Sequence, residues 1–351
     1  MPYWVGLDMG HERTSLCIID KTGAIVTEQN CAADENVIIE RLKSVQRRTI
    51  RQIGMEAGVG THIARRLRAD GYPVRVLDVG RARRFLQINR LKTDASDARG
   101  LAELVRVGQS IGSEVHVKRI ETQNIRTMLV IRQQLIQQRR KLDQLIQALI
   151  RLHGGEAKRS KAAGHMVACA NRAASRMEAD GLSMKQDIRP LLAVAEGLRA
   201  HQADLDQRIA EMVASHPVCQ LLMSVPGIGP ITALSFYSSI DDPDRFRRVS
   251  DVGAYLGLTP LIYQSGSSLR RGGISKAGCK MTRTYLVSAA TVIICRCRTE
   301  SPLRTWALSL RERTGTGKAR VALARKLAVL LLHLWKTGER FDPDRLTPRP
   351  V

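Results

Sequence analysis

Aromatic residues are scarce in this chain: Phe, Trp and Tyr together make up 4% of its 351 residues. A protein that binds single-stranded nucleic acid by stacking successive bases on aromatic platforms needs more of them. Acids are also in short supply, with 33 Asp and Glu against 56 Lys and Arg, for a formal net charge of +23. No Cys-x-x-Cys pair occurs among Cys17, Cys31, Cys169, Cys219, Cys279, Cys295 and Cys297. That spacing argues against a zinc site or a disulfide framework and, with several of them in apolar runs, reads as buried thiols in a reducing compartment. Long apolar runs are missing too. The longest near the C-terminus, Leu327 to Trp335, is interrupted by His333 and is too short to span a bilayer. The sequence opens on a strand-like run with no charged-then-apolar leader. A soluble, cytoplasmic protein associated with the nucleoid is expected.

What the chain does have is apolar content, 44% of residues, enough to bury real cores. Its length suits two or three domains. An excess charge this large repels itself unless a polyanion shares it, and nucleic acid does so through phosphate contacts and counterion release. A merely basic surface or an anionic membrane is the competing explanation.

Residues 1–115 alternate strand and helix patterns. Tyr3–Met9, Thr14–Ile19 and Ala24–Glu28 predict an antiparallel meander. Helices are predicted over Asn36–Val45, His62–Ala69 and Ala95–Val107, and strands over Thr49–Met55 and Val74–Val79. The pattern implies a mixed α/β sheet with helices on its faces. Residues 116–215 differ. Met128, Leu135, Leu142 and Leu149 fall on a seven-residue spacing supported by Ile125, Leu145, Ile146 and Leu152, and Gly154-Gly155 ends that run. After a Lys/Ala/Gly/Ser-rich connector, Leu191, Leu198, Leu205 and Met212 repeat it, supported by Val194 and Ile209. This predicts an antiparallel helical pair or an oligomerising coiled coil. His216-Pro217 opens the last region, 216–351, which reads as mainly helical with Gly/Ser loops, a densely basic stretch from Arg304 to Lys326, and an irregular Pro-rich tail from Asp342.

Four acids stand out. Asp8 ends the apolar run Trp4-Val5-Gly6-Leu7, and Glu56 ends Ile53-Gly54-Met55. Asp94 and Asp97, in Lys92-Thr93-Asp94-Ala95-Ser96-Asp97-Ala98-Arg99, lie one turn apart on one helix face. Carboxylates on two neighbouring strands and a facing helix could converge, and would then repel unless cations sat between them. Mg²⁺ takes oxygen ligands and can clamp the oxygens of a phosphoryl displacement. Ordinary capping explains Asp94 as well. Asp8-Met9-Gly10 followed by Thr14 also resembles the first phosphate loop of sugar kinases and actin-like ATPases, but no adenosine-binding Gly-rich segment follows.

Ser224-Val225-Pro226-Gly227-Ile228-Gly229-Pro230 has the form of a helix–hairpin–helix, in which Gly227 and Gly229 let backbone N–H groups face a phosphate. A tight interhelical turn is the alternative. Farther on, Tyr263-Gln264-Ser265-Gly266-Ser267-Ser268 runs into Arg270, Arg271, Gly272, Gly273 and Lys276. It reads as a flexible cationic loop able to hold phosphate. A serine there could attack a phosphodiester and store the bond as a phosphoserine, or the loop could simply bind.

Taken together, V-G-L-D-M-G, M-E-A-G, K-T-D-A-S-D-A-R, S-V-P-G-I-G, A-Y-L-G-L-T-P and Y-Q-S-G-S-S resemble, in order and over nearly the whole chain, the DEDD transposases of insertion sequences, the bridge-RNA-guided recombinases. The resemblance implies a RuvC-like N-terminal domain of ribonuclease H-like α/β fold whose four acids match Asp8, Glu56, Asp94 and Asp97. It implies a helical coiled-coil linker and a C-terminal transposase domain whose nucleophile matches Ser265. It further implies a Mg²⁺ site, a homo-oligomer in which one protomer's serine meets another's acids, and a structured noncoding RNA that pairs with donor and target DNA. One departure is Gly58, where many relatives carry Thr or Ser after Ala. A hydrolytic junction nuclease is the alternative, with the acids activating water and Ser265 only binding.

Overall fold

A computed structural model describes residues 1–87, 93–108, 114–152, 165–179, 184–297 and 301–343. The Gly154-Gly155 helix end and most of the Pro-rich tail lie outside the described residues, as does part of the connector, but over His165–Ala179 the expected connector is a helix. The chain divides into two compact units, Met1–Lys118 and Arg119–Val351.

The first unit is built on a five-stranded mixed sheet. Its elements are β1 (Tyr3–Met9), β2 (Arg13–Ile19), β3 (Ile25–Ala32), α1 (Glu35–Leu42), β4 (Ile50–Glu56), α2 (Thr61–Ala69), β5 (Val74–Leu77), α3 (Val79–Leu86) and α4 (Asp94–Arg106), in strand order β3-β2-β1-β4-β5. The first three strands form the expected antiparallel meander, and β4 and β5 add in parallel. Alternation along the strands sorts their side chains onto two faces. Leu7, Leu16, Ile18, Ile53 and Met55 pack with Ile38 and Leu42 of α1 and Ile63 and Leu67 of α2. The other face meets α4, where Trp4 packs against Ala98, Leu101 and Ala102. One expectation fails here. The strand predicted to reach Val79 stops at Leu77, and Val79 opens α3 instead. The helical spacing of Ala82, Phe85 and Leu86 signals this turn, and Ala82 is fully buried.

The second unit holds α5 (Ile120–Leu152), α6 (His165–Ala179), α7 (Met184–Ser215), α8 (Pro217–Leu222), α9 (Pro230–Ile240), α10 (Asp251–Tyr255), β6 (Pro260–Ser265), β7 (Ser268–Ile274), α11 (Lys280–Cys295), α12 (Pro302–Thr314) and α13 (Thr316–Thr337). The start of α5 (Ile125, Leu129) shares a core with the end of α7 (Ile209, Val213), and Ile146 and Ile150 share another with Ile188 and Leu192. The two long helices therefore run antiparallel, tied by Arg199 to Asp143 at 2.9 Å and by Arg132 to Asp206. Within one chain this is a helical hairpin, widened by Ala170 and Ala173 of α6. The heptad reading put Leu145, Leu152 and Val194 in the seam, but they are 45%, 77% and 54% exposed. A seven-residue pattern drifts around a straight helix of 3.6 residues per turn, and the packed stripe follows the helix.

The first residues of the second unit are anchored by Asp241, which is fully buried. Its carboxylate accepts from Thr122 Oγ1 at 2.5 Å, Arg119 Nε at 3.1 Å and the Arg119 backbone N–H at 3.2 Å. Asp241 has φ +67°, and the Asp242 N–H bonds back to Ile240 O at 2.8 Å. That is the strained form of γ-turn, tolerated because the surrounding bonds hold it.

Candidate active site and nucleic-acid interface

The four acids gather at one end of one sheet face. Leu7 of β1 pairs with Met55 of β4 in parallel register, so Asp8 and Glu56 are the next residues on adjacent strands. A Cβ on Gly6 would meet backbone atoms of Ala98 and Ala102, and one on Gly54 would meet Val105 and Leu101 O. Gly6 and Gly54 therefore face α4, and by alternation so do Asp8 and Glu56 two residues on. The direction of α4 follows from its far end. Arg106 donates to Lys21 O at 3.0 Å, next to the turn after β2, and Ile19 pairs with Trp4 at the start of β1. The helix thus runs antiparallel to β1, and its first turn, with Asp94 and Asp97, lies towards the Asp8 end.

Capping of α4 is carried by other residues. Thr93 Oγ1 accepts from the Ser96 N–H at 3.1 Å, and Ser96 Oγ accepts from the Thr93 N–H at 3.0 Å. This capping box is worth about 1 kcal/mol and leaves Asp94 as a first-turn residue rather than the cap. Asp8, Glu56 and Asp97 are half-buried, and Asp94 is exposed. Among the described residues, no three His, Cys, Asp or Glu side chains are drawn close enough to enclose a metal ion by themselves. The donor set fits a divalent cation in kind. Its atoms are hard oxygens, and Mg²⁺ is usually held by one or two carboxylates with waters and substrate phosphates completing the shell.

The Gly-rich turn of the second unit links α8 to α9 as a helical hairpin. Its two glycines do different work. Gly227 has φ +82°, and a Cβ there would lie 3.0 Å from Ala289 O and from Ile293 Cγ1, so it serves close packing on α11. Gly229 is the N-cap of α9 and has open space where a Cβ would point.

The segment read as a flexible loop around Ser265 is instead a tight two-stranded hairpin. Ser265 ends β6 and pairs with Ser268, which starts β7. Between them Gly266 has φ +54° at the first central position, as a II′ turn requires. The loop reading missed the alternation in Leu261, Tyr263 and Ser265, which competes with a composition of Gly, Ser and Arg. Tyr263 pairs with Arg270, and Ile262 with Arg271. Ser265 and Arg270 are exposed; the side chain of Arg271 lies outside what is described. Lys276 follows the hairpin with φ +54°, its N–H bonded to Gly257 O at 3.1 Å.

Sequence reasoning also passed over Cys279, just before α11. Arg126 donates to its Sγ at 3.0 Å, and Thr282 Oγ1 lies at 3.4 Å. Burial pushes the thiol up, but the hydrogen bonds from Thr282 and the nearby Arg126 outweigh it and bring its pKa down to about 6. No local motif announces this, because Arg126 is distant in sequence.

Comparison with known proteins agrees with this architecture. The family model for DEDD transposases of the IS110 type matches residues 5–153, and that for the transposase IS116/IS110/IS902 family matches residues 219–305. A probable family 20 transposase of Pseudomonas aeruginosa is 30% identical over 295 residues, covering 83% of this chain and 86% of the relative. The chain belongs to the IS110 family of DEDD transposases. The transposase for insertion sequence element IS1111A of Coxiella burnetii is 27% identical to it over 345 residues, 96% of this chain and 90% of that protein. The transposase for element IS1328 of Yersinia enterocolitica is 27% identical over 289 residues, covering 79% and 81%. The DEDD match implies a ribonuclease H-like fold for the mixed sheet of the first unit. As an enzyme, the transposase acts on DNA, cutting and rejoining strands for transposition. Among its described residues no helix is long and apolar enough to cross a membrane.

Proposed function

We propose that this transposase breaks and rejoins DNA through a serine ester, with Ser265 as nucleophile and Asp8, Glu56, Asp94 and Asp97 as ligands of Mg²⁺. The observation that carries the reading is the side-by-side placement of Asp8 and Glu56 on the sheet face that also meets the first turn of α4. A divalent ion bound there would neutralise charge building up at the scissile phosphate.

The chain's own residues divide the remaining work. Ser265 Oγ attacks phosphorus and forms the P–Oγ bond as the P–O3′ bond breaks. The serine proton passes to the departing oxygen, leaving a 5′-phosphoserine and a free 3′-hydroxyl. Attack by a 3′-hydroxyl reverses the exchange, so resealing consumes no nucleotide. Arg270, Arg271 and Lys276 clamp phosphate oxygens around the hairpin. Gly229 opens the α9 N-terminus to the DNA backbone, and Gly227 shapes that turn.

A net charge of +23 suits polyanionic partners, and the family resemblance implies two, DNA and RNA. The second is a structured noncoding guide RNA, which pairs with donor and target DNA and so supplies sequence choice. The reaction needs serine and acids at one phosphate, and a homo-oligomer can provide both. In functional terms the chain reads as three parts: a catalytic DEDD region over 1–115, a helical linker over 116–215 and a serine-bearing region over 216–351. The expected setting is the cytoplasm, at the nucleoid.

The test is cleavage of DNA carrying the element's end by Ser265→Ala and Asp8→Asn proteins. Loss of cleavage in both, with DNA binding kept, supports the reading. Undiminished cleavage by Ser265→Ala, with none by Asp8→Asn, selects the hydrolytic nuclease instead.

A further inference from the structure

Of the four Phe, three Trp and six Tyr in the chain, twelve side chains are buried or half-buried in the two units. The exception is Tyr263, 61% exposed, two residues before Ser265 on the same strand. Strand alternation puts Tyr263 and Ser265 on one face of the hairpin, about 6–7 Å apart along the chain. The register adds Arg270, opposite Tyr263, and Ser268, opposite Ser265, to that face. The seat of the ring is also specific. A Cβ on Gly272 would lie 3.3 Å from Tyr263 Cε2 and 3.5 Å from Leu261 Cβ, so the tyrosine lies across a strand position that has no side chain. A side chain there would press on the ring and push it from this seat by at least a few tenths of an ångström.

The ring is thus open to solvent on the strand face that also carries Ser265 and Arg270. The face is cationic through Arg270, and the transposase's substrate is a polyanion whose bases offer flat π-surfaces. We propose that Tyr263 is a binding residue for the DNA strand being cut: its ring stacks on the base or sugar of the nucleotide next to the scissile phosphate. Arg270 then grips that strand's phosphate from the same face. The stack fixes the phosphate in line with the serine hydroxyl, and it acts on every base because each has a π-face. This rests on Ser265 as the nucleophile, but stacking is read out separately from cleavage.

The experiment uses the full-length protein and a synthetic oligonucleotide of the element's end, with 2-aminopurine placed in turn on either side of the cleaved bond. Stacking on Tyr263 quenches the probe at one of these positions. Tyr263→Phe, which keeps the ring, keeps the quench. Tyr263→Ala and Tyr263→Leu lose it and raise KM for the oligonucleotide about tenfold or more, the effect of one lost base–aromatic stack. Gly272→Val, which leaves Tyr263 in the chain but removes its seat, weakens the quench as well. Ser265→Ala retains the quench and does not cut. If Tyr263→Leu binds and quenches like the unaltered protein, the proposal is overturned. If Ser265→Ala cuts normally while Tyr263→Leu still loses the quench, the nucleophile assignment fails and the stack stands.

Discussion

Asp8 and Glu56 stand on adjacent strands, each one residue beyond the parallel pair Leu7–Met55. Both are half-buried at strand ends, where like charges are tolerated if a cation is shared. Asp8→Asn and Glu56→Gln should each lower cleavage at least about a hundredfold while DNA binding and the far-ultraviolet circular dichroism spectrum stay as they were. The double variant should cut hardly less than either single one, because the two act as a unit. Single-turnover cleavage in Mg²⁺ measures this. Near-normal rates for Asp8→Asn would remove it from the site.

Gly6 supports those acids without touching substrate. A methyl group there would meet the backbone of Ala98, and Ala102 N at 2.6 Å, on α4. Neither partner can swing aside, since both belong to helix backbone. Gly6→Ala should destabilise the first unit by about 1–3 kcal/mol or more. It should also impair cleavage, since pushing α4 off β1 carries Asp94 and Asp97 with it. Urea unfolding and cleavage assays on the same preparation test both effects. A stable, fully active Gly6→Ala protein would mean that α4 is not seated on β1 as described.

Cys279 should be a thiolate at neutral pH. Its alkylation by iodoacetamide should rise through a midpoint near pH 6, while Cys219, pushed up to about 12 by burial, stays inert. Arg126→Ala should move the midpoint upward, because it removes the guanidinium 3.0 Å from Sγ. The folded value lies below the ordinary thiol value of 9.0, so folding favours the thiolate. The stability this contributes is complete above pH 9 and is lost as pH falls through about 6. Cys279→Ala should flatten that part of the stability profile. An alkylation midpoint close to 9 would refute the assignment.

The sheet of the first unit was legible because its strands are apolar, short and separated by polar turns. Leu7, Leu16, Ile53 and Val76 announce buried strands without any long-range information. The partition at Val79 was not, since a β-branched residue fits the end of a strand as well as the start of a helix. Asp8 and Glu56 stand out because each follows an apolar run, Asp94 and Asp97 because they lie one turn apart on a helix. What joins them, the glycine-to-backbone contact of β1 with α4, is invisible in one dimension. The hairpin around Ser265 was misread because Gly, Ser and Arg suggest a loop by composition, and the register that turns Tyr263 and Arg270 to one face exists only once the strands pair. In the long helices the seven-residue spacing identified helix and partner. It did not identify the buried stripe, which follows 3.6 residues per turn and includes Leu129 and Ile150 while leaving Leu145 outside.

The central claim is a covalent bond between Ser265 and DNA. Cleavage reactions in Mg²⁺, quenched with denaturant and digested, should yield a peptide spanning residue 265 with a 5′-linked nucleotide on the serine oxygen, absent from Ser265→Ala reactions. Mass spectrometry that finds cut DNA ends with no attached peptide, or finds the nucleotide on another residue, would contradict it.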